Sequence, residues 1–314
     1  MLAILLTVLP VFVLLATGYA SVRTGWLKPQ IGDHLSAFAV RLAIPALLFR
    51  AMVDLDFSAA FRPAMLLSFY AGALSAFVLA IVLARLVWKR RPGEAVAVGF
   101  CAMFSNSLLM GIPIISRAWG DAVAAPAFGI LSLHAPLLYS IGMATMEVSR
   151  RDGRPLRVAL AAAARSILAN PLMIGIIAGA AVNLSGLPLP EFLMAAISML
   201  ADAGLPVALV ALGIAFTRYS LRAELSESAM VATLSLVVHP AIVFAIAHWG
   251  LGLAPDHVRA AVVIAAMPPG MNGYIFALLY DRAVALSASA ILVATTASIG
   301  TITVWLAVLQ YVLG

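Results

Sequence analysis

The sequence FSNSLLMGIP, residues 104–113, places polar and helix-breaking residues inside an apolar run of membrane-spanning length. The sequence AMPPGMNGY, residues 266–274, does the same in the second half of the chain. Proline lacks a backbone donor and glycine relaxes a helix, so each run is predicted to form two half-helices. Broken backbone survives in lipid only where it is buried in protein or lines a cavity. Two breaks at corresponding places in two halves indicate the substrate site of a secondary transporter.

The composition excludes a soluble globular or a disordered protein. The chain has 314 residues, of which 64% are hydrophobic and 10% are charged, and its mean hydropathy is +1.09. These values are typical of an all-α polytopic membrane protein in a lipid bilayer. The net charge of +6 comes from basic residues in short loops, which indicates membrane topology rather than a nucleic-acid partner. The single cysteine, Cys101, permits neither an intrachain disulfide nor a cysteine metal cluster.

Apolar stretches of about 20 residues predict ten membrane spans. They lie at roughly 2–21, 33–51, 64–87, 94–117, 121–147, 168–186, 190–216, 227–249, 257–280 and 285–312. The apolar start has no basic residue before it, so we interpret it as a retained first span and not as a cleaved signal peptide. The segment 158–168 is amphipathic and is predicted to lie along the membrane surface.

The distribution of basic residues predicts the orientation of the chain. Those in the loops after the odd-numbered spans are Arg23, Lys28, Arg85, Lys89, Arg90, Arg91, Arg150, Arg151, Arg154, Arg157, Arg218, Arg222 and Arg282. The other loops and ends hold Arg50, Arg62, Arg117 and Arg259. Because cytoplasmic loops are enriched in Lys and Arg, both termini are predicted to lie outside the cytoplasm.

Proline spacing indicates an internal repeat. The matching prolines are Pro10 with Pro171 and Pro45 with Pro206, both 161 residues apart, and Pro113 with Pro269, 156 residues apart. The repeats are predicted to be residues 1–150 and 151–314. Five spans per half is an odd number, so the second half enters the membrane from the opposite side and the repeats are inverted. Chance alignment of apolar helices rich in Ala, Leu, Gly and Pro is the alternative.

The motifs along the chain resemble those of the auxin efflux carrier family. They are LAIPALLF at 42–49, SN at 105–106, MGIP at 110–113, NPL at 170–172, GLPVAL at 204–209 and LG at 212–213. The similarity covers essentially the whole chain and rests on the order and spacing of the motifs. The bacterial branch of that family includes proteins described as malonate or malate carriers. The resemblance therefore implies a location in the bacterial inner membrane.

The resemblance also implies a fold and a mechanism. The expected fold has ten helices in inverted repeats, is similar to the bile acid:sodium symporters, and has broken spans four and nine that cross each other. Spans one, two, six and seven are expected to form a scaffold, and the other six a mobile transport bundle. An elevator-like motion and a homodimer are implied as well. The chain lacks the long central loop of many plant members, so regulation through that loop does not carry over.

The crossing of the broken spans is the predicted substrate site. Its candidate residues are Ser105, Asn106, Gly111, Ile112, Pro113, Pro268, Pro269, Gly270 and Asn272. The free N–H groups and positive dipole ends of half-helices favour an anion. We expect Ser105, Asn106 and Asn272 to hydrogen-bond a carboxylate, and the prolines with Gly270 to create the opening. Alternatively, the asparagines merely satisfy backbone groups that the breaks leave free.

Two charged residues occupy equivalent positions in the predicted repeats. Arg41 precedes Pro45 by four residues and Asp202 precedes Pro206 by four. Ionisable groups inside spans are costly and indicate function. Asp202 is a candidate proton carrier, and Arg41 is a candidate for bidentate binding of a substrate carboxylate. The alternative is a static Arg41–Asp202 pair, or separate contacts with loops and water, that stabilises the scaffold.

Two histidines within spans, His134 and His239, are further candidates for proton coupling because histidine titrates near neutral pH. The alternative is an interhelical hydrogen-bond role. The coupling ion is predicted to be a proton or, by analogy of fold, sodium. The sequence has no His-Glu-x-x-His and no phosphate-binding glycine loop, so no metal or cofactor is expected.

Three classes of function were weighed. The favoured one is a secondary carrier for a small organic anion, either a dicarboxylate or an aromatic carboxylate. A channel or membrane-embedded sensor would use the same broken helices without a transport cycle. An intramembrane enzyme needs a nucleophile with a base or a metal, and Cys101 with scattered histidines supplies neither.

Overall fold

The computed structural model describes residues 2–55, 62–150, 165, 169, 171–186, 188–218 and 224–314. Over these residues it has twelve helices and one isolated β-bridge. The helices are α1 Leu2–Arg23, α2 Gln30–Val53, α3 Pro63–Leu86, α4 Pro92–Met103, α5 Ser107–Trp119, α6 Asp121–Arg150, α7 Pro171–Ser185, α8 Glu191–Phe216, α9 Leu225–Gly250, α10 Pro255–Ala265, α11 Met271–Tyr280 and α12 Val284–Leu313.

The helices confirm a polytopic membrane protein. Six of those in the described ranges have the length and apolar composition to cross a membrane: α2, α3, α6, α8, α9 and α12. Their bounds follow the predicted spans closely; the span predicted at 64–87, for example, is Pro63–Leu86. The total of ten spans and the inverted repeat stay predictions. Arg151, Arg154, Arg157, Arg222 and, apart from Arg165, the amphipathic segment 158–168 lie outside the described residues.

Three helices, α2, α5 and α9, contain a π turn ahead of a proline. These turns are Ala39–Ala43 before Pro45, Ser107–Gly111 before Pro113, and Leu234–Val238 before Pro240. A proline ring clashes with the carbonyl four residues earlier and offers it no N–H. A π turn moves that carbonyl away from the ring and lets the helix continue. The three prolines are therefore accommodated inside helices that are locally distorted.

The backbone carbonyl that Pro240 leaves without an N–H donor accepts a hydrogen bond from another helix. In a regular helix the carbonyl of Leu236 would accept the N–H of residue 240, which proline lacks. The indole Nε1 of Trp305 on α12 donates to this carbonyl at 2.9 Å. A side chain from α12 thus repairs the backbone of α9.

We expect Trp305→Phe to destabilise the protein. Phenylalanine keeps the aromatic bulk but leaves the Leu236 carbonyl unpaired, which costs about 1–3 kcal/mol. The melting temperature of the purified protein should fall by a few degrees, as measured by tryptophan-independent thermal denaturation. Trp26→Phe is the matched control because Trp26 is 88% exposed. Equal melting temperatures for the two variants would contradict the role given to Trp305.

The chain divides into two compact units. One contains residues 1–9, 61–163 and 219–314, and the other contains residues 10–60 and 164–218. Each unit therefore draws segments from both halves of the chain. The first holds α3 to α6 and α9 to α12, and the second holds α2, α7, α8 and most of α1.

In the second unit, glycines bring pairs of helices into backbone contact. A β-carbon at Gly213 on α8 would lie 2.0 Å from the carbonyl oxygen of Leu15 on α1. Neighbouring helices can approach this closely only where a side chain is absent. A β-carbon added at any of three other glycines would also lie too close to a carbonyl oxygen. The distance would be 2.1 Å from Gly18 to Val210, 2.4 Å from Gly175 to Pro45, and 2.4 Å from Gly179 to Phe49. The Gly175–Gly179 spacing therefore serves the packing of α7 on α2.

Two of these contacts are related by the spacing of the prolines. Gly18 meets Val210, and Gly179 meets Phe49. Gly179 lies 161 residues after Gly18, and Val210 lies 161 residues after Phe49. The same glycine-to-carbonyl contact thus occurs twice, with the partners exchanged between the halves.

In the first unit, one basic loop residue has a specific partner. Arg90 forms ion pairs with Glu224 and Glu227. Its guanidinium nitrogen lies 2.9 Å from a carboxylate oxygen of Glu227, which is fully buried. The sequence assigned Arg90 only to a basic loop. Removing either partner of a buried ion pair leaves an uncompensated charge, so Arg90 fixes the start of α9 as well as contributing to the charge of the loop.

Candidate functional site

Two broken helices meet at their breaks in the first unit. The chain leaves α4 at Met103 and resumes as α5 at Ser107; it leaves α10 at Ala265 and resumes as α11 at Met271. Both apolar runs are interrupted where the sequence predicts a break. An antiparallel bridge joins Ser105 to Pro269.

Backbone hydrogen bonds hold the two breaks together. The N–H of Asn106 donates to the carbonyl of Pro268 at 2.7 Å, and the N–H of Gly270 donates to the carbonyl of Phe104 at 2.9 Å. Buried backbone groups need partners in a membrane, and here each break supplies them to the other. We call the segments 104–106 and 266–270 together the crossing.

Non-helical backbone in the first break is confined to Phe104–Asn106, and Pro113 lies in the helix that follows. The role of Pro113 in creating the opening stays a prediction. Pro113 is the second residue of the α-helical part of α5, behind the π turn. Proline is tolerated at the start of a helical segment, where its missing N–H is not needed. Pro268, Pro269 and Gly270 do lie in the second break.

The crossing presents polar groups inside a buried environment. Ser105 is 3% exposed and Asn106 is 8% exposed. The Ser105 hydroxyl has no hydrogen-bond partner in the described part of the chain. The hydrogen bonds recorded for Asn106 come from its backbone, whose carbonyl accepts the N–H of Met110 at 3.2 Å. Ser105 and Asn106 therefore have side chains that are not committed to holding the fold.

A tyrosine that the sequence analysis missed completes this group. The Tyr139 hydroxyl on α6 donates to Oδ1 of Asn272 at 3.2 Å. The Tyr139 ring packs on Phe100 and Phe104, with centroid distances of 5.1 and 5.5 Å. Its only signal in the sequence is a polar tip inside an apolar span. Asn272 is thus oriented by a side chain and not by a freed backbone group.

The helix ends at the crossing have opposite dipoles. Helices α5 and α11 begin there, and the first N–H groups of each have no partner within their own helix. The C-termini of α4 and α10 end there and direct carbonyls to the same region. An anion is favoured at the N-terminal ends. The arrangement can bind an anion through backbone N–H, hydroxyl and amide groups together.

Small residues let the half-helices approach each other. A β-carbon at Gly273 would lie 3.1 Å from the Sγ of Cys101, and one at Gly111 would lie 2.7 Å from the Cδ1 of Ile264. The space around Gly270 is less tight, because a β-carbon added there would lie 3.4 Å from the Cα of Asn106. Ile112 is 5% exposed and packs in the π-to-α junction of α5. These residues shape the crossing rather than supplying polar contacts.

His134 and His239 lie in the same unit as the crossing. His134 on α6 packs against Phe104, with ring centroids 4.5 Å apart. His239 on α9 packs against Phe69, with centroids 5.2 Å apart. The structure therefore brings His134 to the crossing and His239 to a residue next to His134.

A family model described as a membrane transport protein matches residues 3–306. The chain belongs to this family of membrane transport proteins. The auxin efflux carrier resemblance is confirmed: the chain is 24% identical over 327 residues to auxin efflux carrier component 8 of Arabidopsis thaliana, covering 87% of this chain and 88% of that one. The family membership establishes an integral membrane protein with a small-molecule substrate.

Two microbial relatives are similar over nearly the whole transporter. A putative malonate transporter of Rhizobium meliloti (strain 1021) is 25% identical over 296 residues, which covers 94% of this chain and 92% of that protein. An uncharacterized transporter of Methanothermobacter thermautotrophicus is 24% identical over 309 residues, covering 96% and 97%. The relatives are named as transporters and not as enzymes.

Asp202 and Arg41 lie in the other unit of the transporter. The Arg41–Asp202 pair considered from the sequence is not present, because Asp202 pairs with Arg50 at 2.9 Å. The Asp202 side chain is 69% exposed, and Arg41 is exposed on the π turn of α2. An exposed ion pair contributes little to stability.

The described residues of the transporter contain no group of three or more His, Cys, Asp or Glu side chains that could hold a metal ion. Cys101 is buried against Gly273, and its Sγ lies 4.0 Å from the carbonyl oxygen of Ser287.

Proposed function

We propose that the chain is a secondary active transporter of a small organic anion, with a dicarboxylate such as malonate as the first candidate. The observation that carries this proposal is the crossing, in which two broken helices of a transporter-family chain are joined by paired backbone hydrogen bonds beside uncommitted polar side chains. The name of the Rhizobium meliloti relative, a putative malonate transporter, supports the choice of substrate.

In this proposal the carboxylate binds at the N-terminal ends of α5 and α11. Ser105 donates its free hydroxyl and Asn106 its side-chain amide, while Tyr139 orients Asn272 for a further contact. Hydrogen bonds to a charged group are about twice as strong as neutral ones. Gly111, Ile112, Pro113, Pro268, Pro269 and Gly270 form the wall around the anion. No charged side chain is required, because the helix dipoles and neutral donors supply the positive potential.

The proposal includes an elevator-type cycle built on inverted repeats. Two observations support it: each compact unit takes segments from both halves of the chain, and the glycine-to-carbonyl contact recurs at an offset of 161 residues. The unit with the crossing would be the moving body and the unit with α2, α7 and α8 the fixed one. A homodimer, a bacterial inner-membrane location and termini outside the cytoplasm belong to the same proposal.

Counterflow in proteoliposomes tests the proposal. Vesicles containing purified protein and unlabelled malonate should accumulate external labelled malonate transiently above equilibrium, because a carrier exchanges bound substrate across the membrane. A channel would let the label equilibrate without an overshoot. Protein-free vesicles are the control. Absence of an overshoot with malonate, succinate, malate and indole-3-acetate alike would remove the organic-anion carrier from consideration.

A further inference from the structure

Two buried histidines pack against the same phenylalanine ring in the unit that contains the crossing. The Phe69 ring centroid lies 5.6 Å from that of His134 and 5.2 Å from that of His239. Phe69 and His239 are both 0% exposed, and His134 is 4% exposed. We call the two histidines the histidine pair.

The ring nitrogens of the pair are poorly satisfied. Neither His134 nor His239 has a side-chain nitrogen in a well-formed hydrogen bond within the described ranges. The backbone of Ser105 lies near the His134 ring, and the backbone of Phe69 lies near the His239 ring. Leaving a buried polar group unpaired costs roughly 1–3 kcal/mol. Two such residues side by side are a costly arrangement for a purely structural role.

The pair connects to the substrate site through one residue. Phe104, whose carbonyl accepts the N–H of Gly270 in the crossing, packs edge-to-face on His134 at 4.5 Å between centroids. The contact between His134 and the Ser105 backbone leads to the same place. A charge at Ser105 is therefore close enough to act on His134.

Other titratable groups on the surrounding helices have partners of their own or lie at helix ends. Tyr70 donates to the Ile130 carbonyl, Tyr139 donates to Asn272, Asp256 pairs with Arg259, Arg85 donates to the Arg90 carbonyl, Glu94 accepts the Arg91 N–H, and His248 stacks on Phe244. Cys101 is buried on α4, and Asp121, Arg117 and His257 lie near the ends of α6, α5 and α10.

We propose that the histidine pair binds one transported proton, so that the anion at the crossing moves together with a proton. This inference rests on the proposed function and names its coupling ion. One proton is the capacity of the pair, since two imidazolium ions packed against the same phenyl ring repel each other.

The coupling follows from charge. Without an anion at the crossing, no substrate charge favours the addition of a proton to the pair. A carboxylate bound at Ser105 supplies a nearby negative charge, which favours addition of a proton from the adjacent solution to a free imidazole nitrogen. By linkage, the proton in turn strengthens anion binding by the same factor. On the opposite side the anion leaves, the imidazolium loses its attraction, and the proton returns to water.

Proton and malonate fluxes measured in the same proteoliposomes test the proposal. A pH dye inside the vesicles reports proton entry, and labelled malonate reports substrate entry, with the membrane potential clamped. We expect acid outside to drive malonate accumulation in the unmodified protein. His134→Gln and His239→Gln should each reduce this accumulation at least about tenfold while retaining malonate exchange. His34→Gln, at an exposed residue on α2, is the matched control and should behave like the unmodified protein.

The outcomes separate the two proposals. Exchange without any effect of either histidine substitution on proton-driven accumulation overturns the histidine pair alone. Absence of malonate exchange in the unmodified protein overturns the transport proposal and the coupling with it. If the variants do not fold, nitrogen-15 NMR of histidine-labelled unmodified protein replaces them. One imidazole should convert from the neutral to the protonated form when malonate is added, and an unchanged histidine spectrum overturns the pair.

Discussion

Asn106→Ala is expected to weaken malonate binding about tenfold to a hundredfold while leaving the melting temperature nearly unchanged. A hydrogen bond to a charged partner contributes about 1.5–3 kcal/mol, and each 1.4 kcal/mol is about a factor of ten in affinity. The hydrogen bonds that join Asn106 to the second break come from its backbone. Alanine keeps them, so the crossing should persist without the amide. Calorimetric titration of the purified protein measures the affinity.

Asn183 offers a matched control with the opposite expectation. Its side-chain amide lies within hydrogen-bonding distance of three carbonyls at the end of α2: those of Met52 at 3.1 Å, Val53 at 2.6 Å and Leu55 at 3.0 Å. Asn183→Ala leaves these acceptors without their donor and should lower the melting temperature with little change in affinity. If Asn106→Ala melts as early as Asn183→Ala and binds malonate normally, Asn106 has a structural role only.

Gly213→Ala is expected to destabilise the protein severely. The added carbon would lie 2.0 Å from the Leu15 carbonyl oxygen, and the Leu15 carbonyl carbon is at 2.8 Å. Both atoms belong to backbone, so no side chain can rotate away and α1 must move from α8. Overpacking of this kind costs about 3 kcal/mol or more. The yield of monodisperse protein in detergent and its melting temperature should both fall.

Gly300→Ala separates packing from the general effect of replacing glycine. Gly300 lies within α12, and a β-carbon there meets nothing within 4 Å. Alanine is a better helix former than glycine by up to about 1 kcal/mol, so this variant should melt at the same or a slightly higher temperature. A Gly213→Ala protein as stable as Gly300→Ala would show that α1 and α8 do not approach as closely as described.

The breaks could be predicted from sequence because glycine and proline act locally on the backbone. The exact position of the first opening could not be predicted, because a π turn precedes Pro113 and lets the helix continue through it. Whether a helix breaks or widens at a proline depends on the packing around it. Pro240 is a second example. It leaves the Leu236 carbonyl without a backbone donor, and Trp305 on a helix distant in sequence donates to that carbonyl.

Side-chain partners within apolar spans were the part that sequence could not supply. Repeat spacing places Arg41 and Asp202 at equivalent positions and left a pair between them as the alternative, but the partner of Asp202 is Arg50. Repeat spacing relates positions to one another and does not say which of them touch. Tyr139 and Phe69 carry no signal that separates them from other aromatic residues in spans. Their contacts with Asn272 and with the two histidines depend on the rotation of each helix.

The crossing is held by peptide groups, and this has an evolutionary consequence. The bonds from Asn106 to Pro268 and from Gly270 to Phe104 join main-chain atoms, which substitution does not remove. Under the proposed function, exchange of the serine, the asparagines or the aromatic residues changes which anion is recognised while the crossing itself persists. Proteins with this fold can therefore diverge in substrate specificity while they keep the same backbone arrangement at the site.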